Sequence, residues 1–135
     1  MFVQPTHHAP RILAVDDDPA IRRLIERALR TEGYEVQTVP SAEAAMKVLA
    51  RGEDFALLLV DVVMGGESGI DLVRRIRNGE VGEARAKVPV IFVTAEDDAR
   101  TYESSFDLDA MRFVTKPFGA DELVGVVSSV LHERE

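Results

Sequence analysis

The chain contains no cysteine. That excludes disulfides, thiolate metal sites and a cysteine nucleophile. Long apolar runs are also missing, since none approaches the ~20 residues a membrane-spanning helix needs. The opening stretch, Met1 to Pro10, has neither a basic n-region nor an apolar h-region, so it does not read as a secretory signal. Positive charge is scarce: 16 Lys and Arg stand against 24 Asp and Glu, a formal net charge of −8. Nucleic-acid affinity rests on clustered basic side chains meeting phosphates, so direct nucleic-acid binding is not expected. Arg22-Arg23 and Arg74-Arg75-Ile76-Arg77 are local exceptions. Each lies on a predicted helix among acids and reads as a solvated face. A cytoplasmic protein with no membrane contact is the expectation.

What is present fits one domain. The chain has 135 residues, 46% hydrophobic and 30% charged, enough to bury a single substantial core. Met1 to Pro10 shows no periodicity and reads as a flexible arm, with its adjacent His7 and His8 more in keeping with a loose segment than with a metal site. From Arg11 onward, short apolar runs alternate with amphipathic ones. Arg11 to Val15, Glu35 to Val39, Phe55 to Val60, Val90 to Val93 and Arg112 to Thr115 read as strands. Phe55 to Val60 is almost wholly apolar, as a central strand covered on both faces must be. Glu35 to Val39 alternates, which places it near an edge.

Between the strands lie helical patterns. Pro19 suits a first helical turn, and Ile21, Leu24, Ile25, Ala28 and Leu29 share one face before Gly33 stops the helix. Ser41 is a natural N-cap for a helix from Ala42 to Arg51. A third helix covers Gly69 to Arg77, a weak fourth Asp97 to Asp107, and a fifth Ala120 to Leu131. Five strands alternating with five helices predict a parallel sheet with helices on both faces.

The chemistry gathers at strand ends. Asp16 and Asp17 follow the first strand, Asp61 the third, Thr94-Ala95 the fourth and Lys116-Pro117-Phe118 the fifth. In a parallel sheet the carboxyl ends share one edge, where ligands bind. Three carboxylates in a small volume repel one another, by about 4 kcal/mol per pair at ~4 Å and an effective dielectric near 20. An all-oxygen donor set relieved by a cation points to Mg²⁺, with Mn²⁺ the alternative. Acids at strand ends also cap helices, and Asp18 before Pro19 fits that role. Asp61 ends the most apolar run of the chain, where a carboxylate is costly unless it is used. It can attack phosphorus to form an acyl phosphate. Lys116 and Thr94 then offer a charge and a hydroxyl to phosphoryl oxygens. Taken singly, Thr94 can bond back to its own turn, Lys116 can be a loop lysine and Phe118 plain core.

In order and placement, RILAVDDDPAIRRLI, LLLVDVVMGGESGIDLVRRIR, VPVIFVTAED and RFVTKPF resemble the receiver domains of bacterial two-component response regulators, the chemotaxis-regulator type. The resemblance covers about Arg11 to His132, with the receiver domain expected over 11 to 133, and implies a flavodoxin-like doubly wound sheet with strand order 2-1-3-4-5. It implies Asp61 as phosphoacceptor and Lys116 and Thr94 as its catalytic partners. A divalent metal would be held by Asp16, Asp17, Asp61 and the backbone carbonyl of Val63. The backbone of Val63 and Ala95 would contact the phosphoryl group. Thr94 and Phe113 would be the switch pair, acting on the face made by the fourth helix, fifth strand and fifth helix. The Lys116–Pro117 bond is usually cis in that family. The donor would be a sensor histidine kinase or a histidine phosphotransfer protein, and the target an unknown protein. The chain would be a monomer, or a dimer on phosphorylation, and either a stand-alone regulator or a receiver from a longer protein.

Two departures stand out. Met64 is followed by Gly65 where the family has proline, which predicts a looser loop. Asp109-Ala110 replaces the frequent Gly-Ala before the fifth strand. Other readings are weaker on the residues. A phosphatase of the haloacid dehalogenase type needs an acid two residues past its nucleophile, and that position is Val63. A pseudo-receiver usually lacks an acid or the lysine, and all are kept here.

Overall fold

A computed structural model describes residues 9–95, 107–110 and 112–133. The five apolar runs form the strands β1 (Arg11–Val15), β2 (Glu35–Val39), β3 (Leu57–Asp61), β4 (Val90–Thr94) and β5 (Arg112–Thr115). All pair in parallel, in the order β2-β1-β3-β4-β5. β3 and β4 are buried at every residue, as their unbroken apolar runs require. β2 lies at an edge, and only its Val36 and Val39 are buried, not the strict alternation its sequence suggests. β3 starts two residues later than its apolar run, because Phe55 and Ala56 lead into the strand from below. The Ala56 amide already donates to the Arg11 carbonyl at 2.8 Å.

Side chains of a strand alternate between faces, and two cores result. On one face Leu13, Val15, Leu58, Val60 and Phe92 pack under α2 (Ala42–Ala50) and α3 (Gly69–Arg77), through Val48, Leu49, Leu72, Val73 and Ile76. On the other Ile12, Ala14, Leu57, Leu59, Ile91 and Val93 pack under α1 (Pro19–Thr31) and the C-terminal helix (Ala120–Glu133), through Ile25, Leu29, Leu123, Val127 and Val130. This is the expected doubly wound α/β sheet. Three helices start on side-chain caps. Asp18 accepts from the Ala20 amide at 2.8 Å, Ser41 from Ala44 at 3.1 Å and Ser68 from Asp71 at 3.1 Å. Each cap satisfies an amide that the first turn leaves unpaired.

The arm Met1 to His8 and most of the predicted helix 97–107 lie outside the described residues; Asp107 and Leu108 are helical. Asp109 follows in the left-handed region at φ 57. That conformation favours glycine, and aspartate tolerates it better than most residues do. Among the described residues no helix is long and apolar enough to cross a membrane.

Candidate phosphoryl-transfer site

Register brings the acids together. Val15 pairs with Val60, so the residues that follow, Asp16 just past β1 and Asp61 at the end of β3, lie side by side. Asp61 pairs with Val93, and Thr94 with Thr115, the residue before Lys116. The Lys116 amide donates to the Thr94 carbonyl at 2.8 Å, tying the ends of β4 and β5. The Lys116–Pro117 bond is cis, and Phe118 is buried in the core beneath α1 and the C-terminal helix.

One carboxylate oxygen from each of Asp16, Asp17 and Asp61 lies within 4.8 Å of the others. Asp16 and Asp61 are only 1% and 3% exposed, while Asp17 is exposed. Asp16 Oδ1 accepts from the Asp18 amide at 2.9 Å, and Asp61 Oδ1 from the Val63 amide at 3.2 Å. Asp17 Oδ2 accepts from the Gly65 amide at 3.0 Å. Lys116 Nζ reaches between the two buried acids, 3.2 Å from Asp61 Oδ2 and 3.2 Å from Asp16 Oδ2. The contact with Asp61 is a hydrogen bond, whereas Asp16 Oδ2 accepts none and is paired by charge alone.

The electrostatics follow from this packing. Burial, then the neighbouring Asp16 carboxylate, pushes the Asp61 carboxyl up to about 6 from 3.8. Lys116 and the Val63 amide hold it from rising further. For Lys116, burial works downward, but the Asp61 and Asp16 carboxylates outweigh it and the ammonium ends above its ordinary pKa. One lysine against three ionised carboxylates leaves two negative charges uncompensated. With an all-oxygen donor set and a buried Asp16 oxygen that accepts no hydrogen bond, these residues fit a hard divalent cation such as Mg²⁺.

The remaining predicted residues stand nearby with other contacts. Thr94 is buried, and its hydroxyl donates to the Ala95 carbonyl at 3.1 Å, bonding back to its own turn. Phe113 is half-buried and packs against the core under α2 and α3. Val63 is 67% exposed. Two basic runs correct the solvated-face expectation in part. Arg74 and Arg75 do meet acids, Asp71 at 3.3 Å and Glu67 at 2.8 Å. Arg77 instead donates to the Leu108, Ala86 and Val88 carbonyls at 2.7, 3.0 and 2.7 Å, and Arg22 to the Asp16 carbonyl at 2.7 Å. Both guanidiniums bond to backbone carbonyls outside the strands.

Gly69 was not singled out by sequence reasoning. It opens α3 directly against the sheet, its amide donating to the Val62 carbonyl at 2.9 Å. A Cβ there would collide with the backbone carbonyl of Asp61 and with Val60. The only sequence signal was its place immediately after the capping Ser68.

Comparison with known proteins bears on the family and the fold. The response regulator receiver domain family matches residues 12–128. The chain is 34% identical over 122 residues to the DNA-binding transcriptional regulator NtrC of Rhizobium meliloti, covering 90% of this chain and 24% of that protein. It is 33% identical over 126 residues to the transcriptional regulatory protein AruR of Pseudomonas aeruginosa, covering 90% of this chain and 49% of that protein. The chain thus spans between a quarter and a half of these relatives. Among solved structures, a putative response regulator from Chloroflexus aurantiacus superposes with a TM-score of 0.82 at 30% identity, covering 92% of this chain and 98% of that one. The chemotaxis protein CheY4 of Vibrio cholerae gives 0.81 at 25% identity, covering 90% and 98%.

Proposed function

The chain belongs to the response regulator receiver domain family, and from that premise we propose a phosphorylation-controlled switch, spanning 11 to 133, whose phosphoacceptor is Asp61. The observation that carries this reading is the position of Lys116 Nζ, 3.2 Å from the Asp61 carboxylate at the carboxyl edge of the sheet. Lys116 is equally close to Asp16, but Asp16 and Asp17 follow β1, whereas Asp61 ends β3, which is buried at every residue, and it alone hydrogen-bonds Lys116. An Asp61 oxygen attacks the phosphorus of a phosphohistidine on a sensor kinase or phosphotransfer protein. The new O–P bond forms as the N–P bond breaks, and the ring nitrogen leaves with the electron pair. The chain therefore promotes its own phosphorylation and turns over no separate substrate.

Lys116 offers its charge to the phosphoryl oxygens, and the Val63 and Ala95 amides offer donors. Mg²⁺, held by Asp16, Asp17, Asp61 and the Val63 carbonyl, would supply charge neutralisation for the transferred group. The Thr94 hydroxyl now spends its hydrogen on the Ala95 carbonyl. A phosphoryl oxygen is a stronger acceptor, so Thr94 exchanges partners and frees space for Phe113. The signal then passes to a protein target rather than to nucleic acid, in keeping with the net charge of −8.

The test is intact-mass measurement after acetyl phosphate treatment. One added phosphoryl group is expected with Mg²⁺ and none with EDTA. Uptake that is unaffected by EDTA would overturn the metal-dependent reading.

A further inference from the structure

The geometry points to Gly65 as a positioning residue for the carboxylate of Asp17, acting through its backbone amide on metal affinity. This rests on the metal reading above. The Gly65 N–H donates to Asp17 Oδ2 at 3.0 Å, across 48 residues of sequence. It ties the loop after β3 to the loop after β1.

The three acids are not held alike. Asp16 is buried and bonded by the Asp18 amide, and Asp61 is buried and bonded by both Val63 and Lys116. Asp17 is exposed, and the Gly65 amide is its hydrogen-bond donor among the described residues. Without that bond, an incoming ion must order a free surface carboxylate, at a cost in conformational entropy. With it, one oxygen is anchored. A carboxylate has about four acceptor positions, so lone pairs remain for the ion. Donors behind a metal ligand generally raise affinity by fixing its orientation.

The device depends on the backbone N–H and not on the absence of a side chain. Gly65 does not adopt a left-handed φ, and a Cβ there would meet Asp17 Oδ2 at 3.9 Å, an ordinary contact. Alanine should therefore keep the bond, while proline, which has no N–H, must lose it. Glycine at this position supplies a donor that proline would withhold, and so ties the loop where its flexibility alone predicts loosening.

The test is Mn²⁺ titration of the full chain, following free Mn²⁺ by electron paramagnetic resonance. Gly65→Ala should bind within about twofold of the wild type. Gly65→Pro, checked for folding by circular dichroism, should bind about tenfold or more weakly. Equal affinity of wild type and Gly65→Pro overturns the inference while leaving the metal reading intact. No Mn²⁺ binding by the wild type overturns the metal reading itself. Should Gly65→Pro fail to fold, the Gly65 amide resonance decides. In metal-free protein it should move upfield and exchange faster in Asp17→Ala. An unmoved resonance with unchanged exchange overturns the inference.

Discussion

Lys116 Nζ lies 3.2 Å from Asp61 Oδ2, and both side chains come from the ends of strands separated in the sheet by β4. The pair is a fixed cation beside an acid whose pKa burial raises. Lys116 and the Val63 amide hold the Asp61 carboxyl at about 6. Replacing Lys116 with methionine keeps the bulk and removes the charge. The Asp61 carboxyl should then titrate above 6 in metal-free protein, while Asp16→Asn should bring it below. Carbon-13 NMR of the Asp61 carboxyl would read both midpoints. Identical midpoints in all three proteins would exclude this coupling.

A raised carboxyl pKa makes folding depend on pH with a definite sign. Between the unfolded value of 3.8 and the folded value of about 6, the native chain binds more protons at Asp61 than the unfolded chain does. Stability therefore falls as pH rises through that window. The contribution is on the order of 3 kcal/mol, lost in full above the folded pKa. Urea unfolding in EDTA at several pH values should show Asp61→Asn gaining on the wild type from pH 4 to 7. A difference that stays flat would contradict the account.

Divalent metal should reverse that loss. It relieves repulsion among Asp16, Asp17 and Asp61, and a ligand bound only by the native state stabilises it by mass action. The gain is about 2.7 kcal/mol at a hundredfold excess over Kd. Thermal melts should shift upward on adding Mg²⁺ and back on adding EDTA. Asp17→Ala should shrink the shift, and an equal shift in that variant would remove Asp17 from the site.

Two glycines should respond oppositely to alanine. Gly69 presses on the Asp61 carbonyl, and its Cβ would have nowhere to go. Gly69→Ala should cost about 1–3 kcal/mol or more and displace Asp61. Gly125, within the C-terminal helix, has nothing within 4 Å of its Cβ position. Gly125→Ala should stabilise by about 0.5–1 kcal/mol through helix propensity. Chemical denaturation of both variants checks this, and equal signs would contradict it.

Most of the fold was legible because its period is local. Ile25 and Leu29 on one helical face, or the unbroken Leu57 to Val60, declare their burial within a few residues. The convergence of Asp16, Asp61 and Lys116 was legible through one global rule, that parallel strands end on a common edge. What escaped depends on contacts between distant segments. The Gly65 amide finds Asp17 only once two loops have been brought together. Arg77 looks like its neighbours Arg74 and Arg75 in sequence, yet it turns to the Leu108, Ala86 and Val88 carbonyls. Charge patterning records which residues are ionic and not which backbone groups lack partners. The collision waiting at Gly69 likewise belongs to the packing of α3 on β3.

Phosphoryl transfer to Asp61 is tested most directly by trapping the acyl phosphate. An acyl phosphate can be reduced by borohydride to the alcohol, which converts a phosphorylated aspartate to homoserine and leaves free carboxylates intact. Treatment with acetyl phosphate and Mg²⁺, borohydride reduction and peptide sequencing by mass spectrometry should place homoserine at position 61 alone. Homoserine at 16 or 17, or unchanged incorporation in Asp61→Asn, would contradict the account.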